Sequence, residues 1–390
     1  MGYSQMERIK TAFLAAFVAM PTIASAATMG PEIWSHRGAS YLSFENTLEA
    51  FEVGADLGAT GYELDLVLTR DDQLAVYHDL TLSESTNVED LFGPERARAD
   101  GEFYVRDFDM DELRILTLEM SPNDAGVRNE LALDPANPVG QAPDYVYRIP
   151  SYDEALDLAE GKLDGQKVLT EVKLEEDGSP GERALIIDLL VGQWETRGYV
   201  EGASPVVVQS FSQAFMAEID ARLAGTDLDV PTYQLDALML TLDGAPETQE
   251  GLNALVADLY GDLDGLALFA GLYLTTDAPF QEFVNPAELD FVEAASLAGL
   301  ETYVWTLSLP DGVALDTYYD WLLDPSTPID FGMQYQELYA LGLDGIITDT
   351  PDVAVATYRD FITPIPLPAG GLLLLSGLTL LVLRRRRERS

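Results

Sequence analysis

Short apolar runs alternate with amphipathic stretches at helical spacing along almost the whole chain. Eight runs read as strands, at residues 32–35, 62–66, 74–77, 168–172, 206–209, 232–235, 302–306 and 345–348. Strands separated by helical patterns mark an α/β fold with a parallel sheet, and eight is the number that closes a (β/α)8 TIM barrel. An open doubly wound sheet is the competing arrangement, but no glycine-rich phosphate loop follows the first strand. His36, Glu63, Asp65, His78, Glu171, Gln209, Trp305 and Asp349 fall at the ends of these runs. Chemistry in such barrels gathers at the C-terminal face of the strands, so the strand count and the polar pattern predict the same architecture.

Local signals refine this. Asn46 is placed to cap a helix starting at Thr47, with Glu49 as its capping-box partner and Leu48, Phe51 and Ala55 on the buried face. A long insertion, about residues 80–148, follows the third strand, and its length without regular pattern predicts a loop or lid, with 122–143 as the lid. Residues 225–285 are acidic and glycine-rich. Asp262-Leu263-Asp264-Gly265 resembles part of a calcium loop, but the twelve-residue ligand pattern is missing, which predicts solvated turns.

The two ends look processed. Arg8 and Lys10 precede an apolar run at 12–20, and Ala24-Ser25-Ala26 offers a cleavage site, so residues 1–26 read as a secretory signal peptide. The domain then spans 27–362. At the other end, 363–390, an apolar stretch at 369–383 would reach about 22 Å as a helix, a marginal anchor, and arginines follow it. Pro366-Leu367-Pro368-Ala369 with that run and the arginines resembles the PEP-CTERM (VPLPA-type) sorting tails that exosortase-type systems remove; a plain tail anchor is the alternative. Both predict a domain facing away from the cytoplasm, with export and sorting machinery as partners and membrane contact only through the tail. There is no cysteine, which excludes a disulfide framework and thiolate metal sites.

Charge sharpens the chemistry. The chain carries −45; its ends carry +1 and +4, leaving about −50 between them. Such acidity argues against nucleic acid or an anionic membrane surface as partner. An anionic substrate would need a cation and local positive side chains.

Glu63 and Asp65 lie two apart on one strand and project from one face. Paired carboxylates in a barrel mouth repel unless a cation neutralises them, and Glu171 completes three hard oxygen ligands. Calcium fits best and magnesium next, rather than zinc. The alternative is a structural ion-pair network with Arg37 and Lys173. His36 and His78 are the only two histidines of 390 residues, and at two strand ends they suit a base and an acid flanking one phosphorus. Arg37 offers a fork and Lys173 a point charge for phosphate oxygens.

The segments HRG at His36, ENT at Glu45, ELD at Glu63, HD at His78, EVK at Glu171, QSF at Gln209, WTL at Trp305 and DGIITDTPD from Asp344 resemble, in order, the blocks of glycerophosphodiester phosphodiesterases. ARADGEFYVRDFDMDEL resembles the periplasmic, calcium-using branch, and IPSYDEAL from Ile149 the phrase that reopens the barrel. The resemblance implies a barrel related to phosphatidylinositol-specific phospholipase C, a divalent metal at Glu63, Asp65 and Glu171, and acid/base histidines at His36 and His78. It also implies hydrolysis of glycerophosphodiesters to glycerol 3-phosphate and an alcohol. Phe44 departs from the usual proline and is expected to alter only a turn. Trp305 reads as a wall for the glycerol moiety or a core aromatic, and Gln209 and Asp349 as polar rim groups. A phospholipase C-like or sphingomyelinase D-like lipid enzyme is the enzymatic alternative; a non-catalytic calcium-binding surface protein is the other.

Overall fold

The computed structural model describes residues 30–118, 146–175, 177–200, 204–236, 246, 248–269, 289–307 and 332–362. The signal segment, the proposed lid at 122–143 and the C-terminal tail lie outside the described residues. Among the described residues no helix is long and apolar enough to cross a membrane.

Among the described residues nine strands form one sheet: β1 (Glu32–Ser35), β2 (Gly61–Leu68), β3 (Leu74–Val76), β4 (Lys167–Val172), β5 (Val206–Ser210), β6 (Thr232–Asp236), β7 (Gly265–Phe269), β8 (Glu301–Leu307) and β9 (Gly345–Thr348). Parallel pairings run β1-β9-β8-β7-β6-β5-β4-β2, and β1 also pairs with β2, so eight strands close into the predicted barrel. Among the described residues each barrel strand is followed by a helix of the outer layer: α1 (Leu48–Asp56), α2 (Tyr152–Glu160), α3 (Pro180–Arg197), α4 (Gln213–Leu223), α5 (Gln249–Tyr260), α6 (Phe291–Ala298), α7 (Gly332–Ala340) and α8 (Pro351–Ile362). Their starts are written locally. Ser151 with Glu154 and Ser179 with Glu182 form capping boxes, and Pro180 opens α3.

The count of eight holds, but its membership changes. The run at 74–77 is not a barrel strand: β3 is antiparallel to the overhanging end of β2, with Leu66 opposite Val76 and Leu68 opposite Leu74. The missing member is β7, whose GLALF lies inside the stretch expected to be irregular. Asp262 and Asp264 are the exposed turn residues expected, and the Asp264 carboxylate also accepts the Thr232 amide at 2.9 Å where β7 enters the barrel. Residues 80–118 are not structureless either. Leu82, Val88, Phe103, Phe108, Met110 and Leu113 pack with Val67 and Tyr77 of the β2–β3 hairpin into a core of their own. Over it the Arg96 guanidinium lies 4.3 Å from the Phe108 ring centre and bonds Glu112 at 2.9 Å.

Inside the barrel, Trp34, Tyr233 and Tyr303 fill the N-terminal half. They fit because facing positions are glycine: a methyl at Gly61 would meet the Trp34 ring at 2.7 Å, and one at Gly345 would collide with Tyr303. With that half filled, polar groups are left to the C-terminal mouth.

Candidate active site

Strand register assembles the acidic floor. Asp65 on β2 is level with Glu171 on β4, and Glu171 with Gln209 on β5, while Glu63 lies one inward position below Asp65. All four are buried, and the carboxylates of Glu63, Asp65 and Glu171 each offer an oxygen within 4.8 Å of the others. Above them a cavity of about 130 Å³ is lined by His36, Arg37, Glu63, His78, Glu171, Lys173, Gln209 and Trp305, with Phe211 at its edge.

The histidines arrive by different routes. His36 follows β1 directly, and its amide donates to the Thr348 carbonyl of β9 at 2.9 Å. His78 arrives on the return of the hairpin: β2 overshoots the rim, and β3 brings the chain back so that the Tyr77 amide donates to the Asp65 carbonyl at 3.0 Å. Each ring is held at Nδ1 by a carboxylate, His36 by Asp349 at 2.6 Å and His78 by Asp79 at 2.7 Å. Nε2 is thereby the nitrogen left for proton exchange. Ser40 donates to the same Asp349 oxygen at 3.0 Å and fixes the carboxylate in turn.

The alternative, an ion-pair network with Arg37 and Lys173, is present in part. Arg37 Nε lies 3.3 Å from Asp65 Oδ2, and Lys173 Nζ lies 3.0 Å from Asp65 Oδ1 and also pairs with Glu171. Glu63 takes only the Arg37 backbone amide, at 2.7 Å on Oε2. Its Oε1 and Asp65 Oδ1 are buried without a hydrogen bond; the Lys173 ammonium is close to the latter but not aligned with it. Burial opposes ionisation of Asp65, yet Lys173 and Arg37 outweigh it and hold the carboxyl well below its usual range. Burial, then the charges of Asp65 and Glu171, push Glu63 well above its ordinary value. Three carboxylates against two cations, the carboxylates each offering an oxygen within 4.8 Å of the others and with Glu63 Oε1 buried without a partner, fit a divalent cation.

A model of the glycerophosphoryl diester phosphodiesterase family matches residues 36–353. The chain belongs to this family. A glycerophosphodiester phosphodiesterase of Treponema pallidum is 26% identical over 216 residues, 53% of this chain and 56% of the relative. One of Haemophilus influenzae is 41% identical over 91 residues, 23% and 24% of the two chains. The matches thus span about half or less of these relatives' lengths. A solved putative glycerophosphoryl diester phosphodiesterase from Silicibacter pomeroyi shares the fold at a TM-score of 0.59 and 22% identity, over 85% of this chain and 94% of its own. An Oleispira antarctica phosphodiesterase, solved in complex with sn-glycerol-3-phosphate, superposes at 0.53 with 17% identity, over 85% and 98%.

Several site residues of this family member escaped the sequence reading. Asn46 is not the cap of α1. Thr47 takes that place, accepting the Ala50 amide at 3.2 Å, while Asn46 turns inward to Asp65. Glu45 receives the Arg37 guanidinium at 3.1 and 3.2 Å. Asp79, next in the chain to His78, holds that ring at Nδ1. Asp349 is more than a rim group, since it holds His36. Phe44 does more than alter a turn: its ring stacks on Tyr147. Trp305 lines the cavity, donates from its indole to the Ala267 carbonyl at 3.0 Å and packs edge-on against Phe211.

Proposed function

We propose that this chain is an exported glycerophosphodiester phosphodiesterase that hydrolyses diesters such as glycerophosphocholine or glycerophosphoethanolamine to glycerol 3-phosphate and an alcohol. The observation that carries the reading is the pair of carboxylate-held histidines, His36 and His78, on one cavity above the Glu63, Asp65 and Glu171 floor. The product complex of the Oleispira antarctica neighbour supports the substrate class.

The chemistry follows from these groups. One histidine takes the proton of the attacking hydroxyl or water as its oxygen bonds to phosphorus; the other gives a proton to the departing alkoxide as the P–O bond breaks. Arg37 and Lys173 balance the charge on the phosphoryl oxygens in a site whose surroundings are strongly acidic. A divalent cation on Glu63, Asp65 and Glu171, calcium by preference and magnesium next, would polarise a phosphoryl oxygen and lower the pKa of the attacking group. Gln209 and Trp305 are assigned to substrate contact. The family and the acidic floor support metal use, and the absence of cysteine favours calcium or magnesium over zinc; the calcium-using periplasmic branch is read from the segment at 97–113. Export through residues 1–26 and processing of 363–390 complete the proposal, and the mass of the mature chain recovered from cells tests both.

The deciding experiment is release of glycerol 3-phosphate from glycerophosphocholine with added calcium, with added magnesium and after chelation. Chelator-sensitive product is expected. Activity confined to lipid micelles would replace the substrate class with intact lipid, and cation binding without any turnover would favour the non-catalytic surface protein.

A further inference from the structure

The loop from His36 to Thr47 is closed by its own backbone: the Asn46 amide donates to the Arg37 carbonyl at 2.9 Å, and the Thr47 hydroxyl to the Phe44 carbonyl at 2.7 Å. Arg37 and Asn46 have φ of 52° and 57°, a left-handed conformation that side-chain-bearing residues keep only where surroundings enforce it. On the inner side those surroundings are the acidic floor. Asn46 donates to Asp65 Oδ2 at 2.8 Å, and the Arg37 amide donates to Glu63.

On the outer side the contact comes from the far end of the insertion. The Phe44 and Tyr147 rings stack with centroids 4.4 Å apart and planes 28° from parallel, and Tyr147 shares a hydrogen bond with Ser43. Tyr147 is firmly seated. It is 7% exposed, its carbonyl accepts the Leu118 amide at 3.3 Å, and three residues on the Pro150 carbonyl accepts Val76 of β3 at 2.8 Å. One path of contacts therefore runs from the insertion through Tyr147 and Phe44 to Asn46 and Asp65.

We propose that Phe44 and Tyr147 are positioning residues: their stack holds the strained 37–47 loop down on the acidic floor, so that Asn46 and Arg37 present Asp65 and Glu63 to the cation. This rests on the reading of Glu63, Asp65 and Glu171 as a cation site. The effect reaches the floor through the loop, by way of Asn46 and the Arg37 amide. Groups that orient metal ligands from behind typically govern affinity by ten- to a hundredfold, and a contact one residue further out should sit at the lower end.

The test titrates calcium alone, then magnesium alone, into the full-length chain by calorimetry, well below the melting temperature, and measures kcat beside it. Phe44→Ala and Tyr147→Leu should weaken cation binding by about tenfold and lower kcat, while Phe44→Tyr, which keeps the ring, should retain wild-type affinity. Wild-type affinity and kcat in both Phe44→Ala and Tyr147→Leu overturn the proposal, as does an equal loss in Phe44→Tyr. Should Phe44→Ala fail to fold, Phe44→Leu replaces it under the same criteria. A wild-type chain that takes up neither cation overturns the cation-site reading instead; a tenfold fall of kcat in the ring-loss variants then still supports the positioning role, and an unchanged kcat overturns it.

Discussion

Asn46 and Asp65 exchange two hydrogen bonds: the Asn46 amide nitrogen donates to Asp65 Oδ2 at 2.8 Å, and the Asp65 backbone amide donates to Asn46 Oδ1 at 3.1 Å. This pairing commits one Asp65 oxygen, while the other, Oδ1, lies 3.0 Å from the Lys173 ammonium. It also selects the residue type, because asparagine combines an amide side chain with tolerance of a positive φ. Asn46→Gly, which keeps the backbone relaxed and removes the amide, should lower cation affinity or turnover about 10–100-fold. Asn46→Ala should lose the same and, from left-handed strain, roughly 1 kcal/mol of stability besides. Calorimetry and thermal melting of the two variants separate these effects; wild-type cation binding in Asn46→Gly would remove Asn46 from the site.

Removal of either ring nitrogen pair should stop proton transfer without unfolding the barrel. His36→Ala and His78→Ala are each expected to reduce kcat by about 10²–10⁴-fold. Asp349→Asn and Asp79→Asn, which keep shape but lose the charge on Nδ1, should cost less, about tenfold to a hundredfold. Steady-state kinetics beside melting curves checks this, and near-normal turnover in both histidine variants would end the acid/base assignment.

The burial of Glu63 beside two carboxylates sets a pH dependence. Its folded pKa lies well above the ordinary carboxyl value near 4.5. At this position the metal-free folded chain therefore holds its proton to higher pH than the unfolded chain, and this group's contribution to stability declines as pH rises from the ordinary carboxyl range towards the raised value. A cation needs the carboxylate form, so cation uptake should release protons and tighten with rising pH. Calorimetry of calcium binding in two buffers of different ionisation heat reads the proton count; identical heats would show that no carboxyl in the floor is protonated beforehand.

Two packing predictions concern the scaffold. Gly345→Ala drives a methyl into the Tyr303 ring inside the barrel and should cost about 1–3 kcal/mol, as overpacking does. Arg197 pairs at once with Asp153, Asp157 and Glu160, tying α3 to the acidic face of α2. Arg197→Ala should lower the melting temperature, and by less in high salt, where the three stranded carboxylates are screened. A salt-independent loss would assign the effect to packing of the arginine stem.

What the sequence determined by itself is what short-range rules govern. Alternation along β2 put Glu63 and Asp65 on one face, and the count of strands implied closure. Its misreadings share one cause, which is that neighbours in the chain do not reveal partners in space. The apolar pattern of 74–77 says strand but carries no direction, and only pairing with β2 makes it an antiparallel return that delivers His78. GLALF lies in a stretch whose acidic, glycine-rich composition reads as irregular, and pairing with β6 and β8 makes it a barrel strand. Asn46 obeys a local capping rule as well as Thr47 does, and the buried Asp65 decides between them. The His36–Asp349 contact joins residues 313 apart. Closing the barrel between β1 and β9 brings them together, because a closed sheet makes first and last strands neighbours.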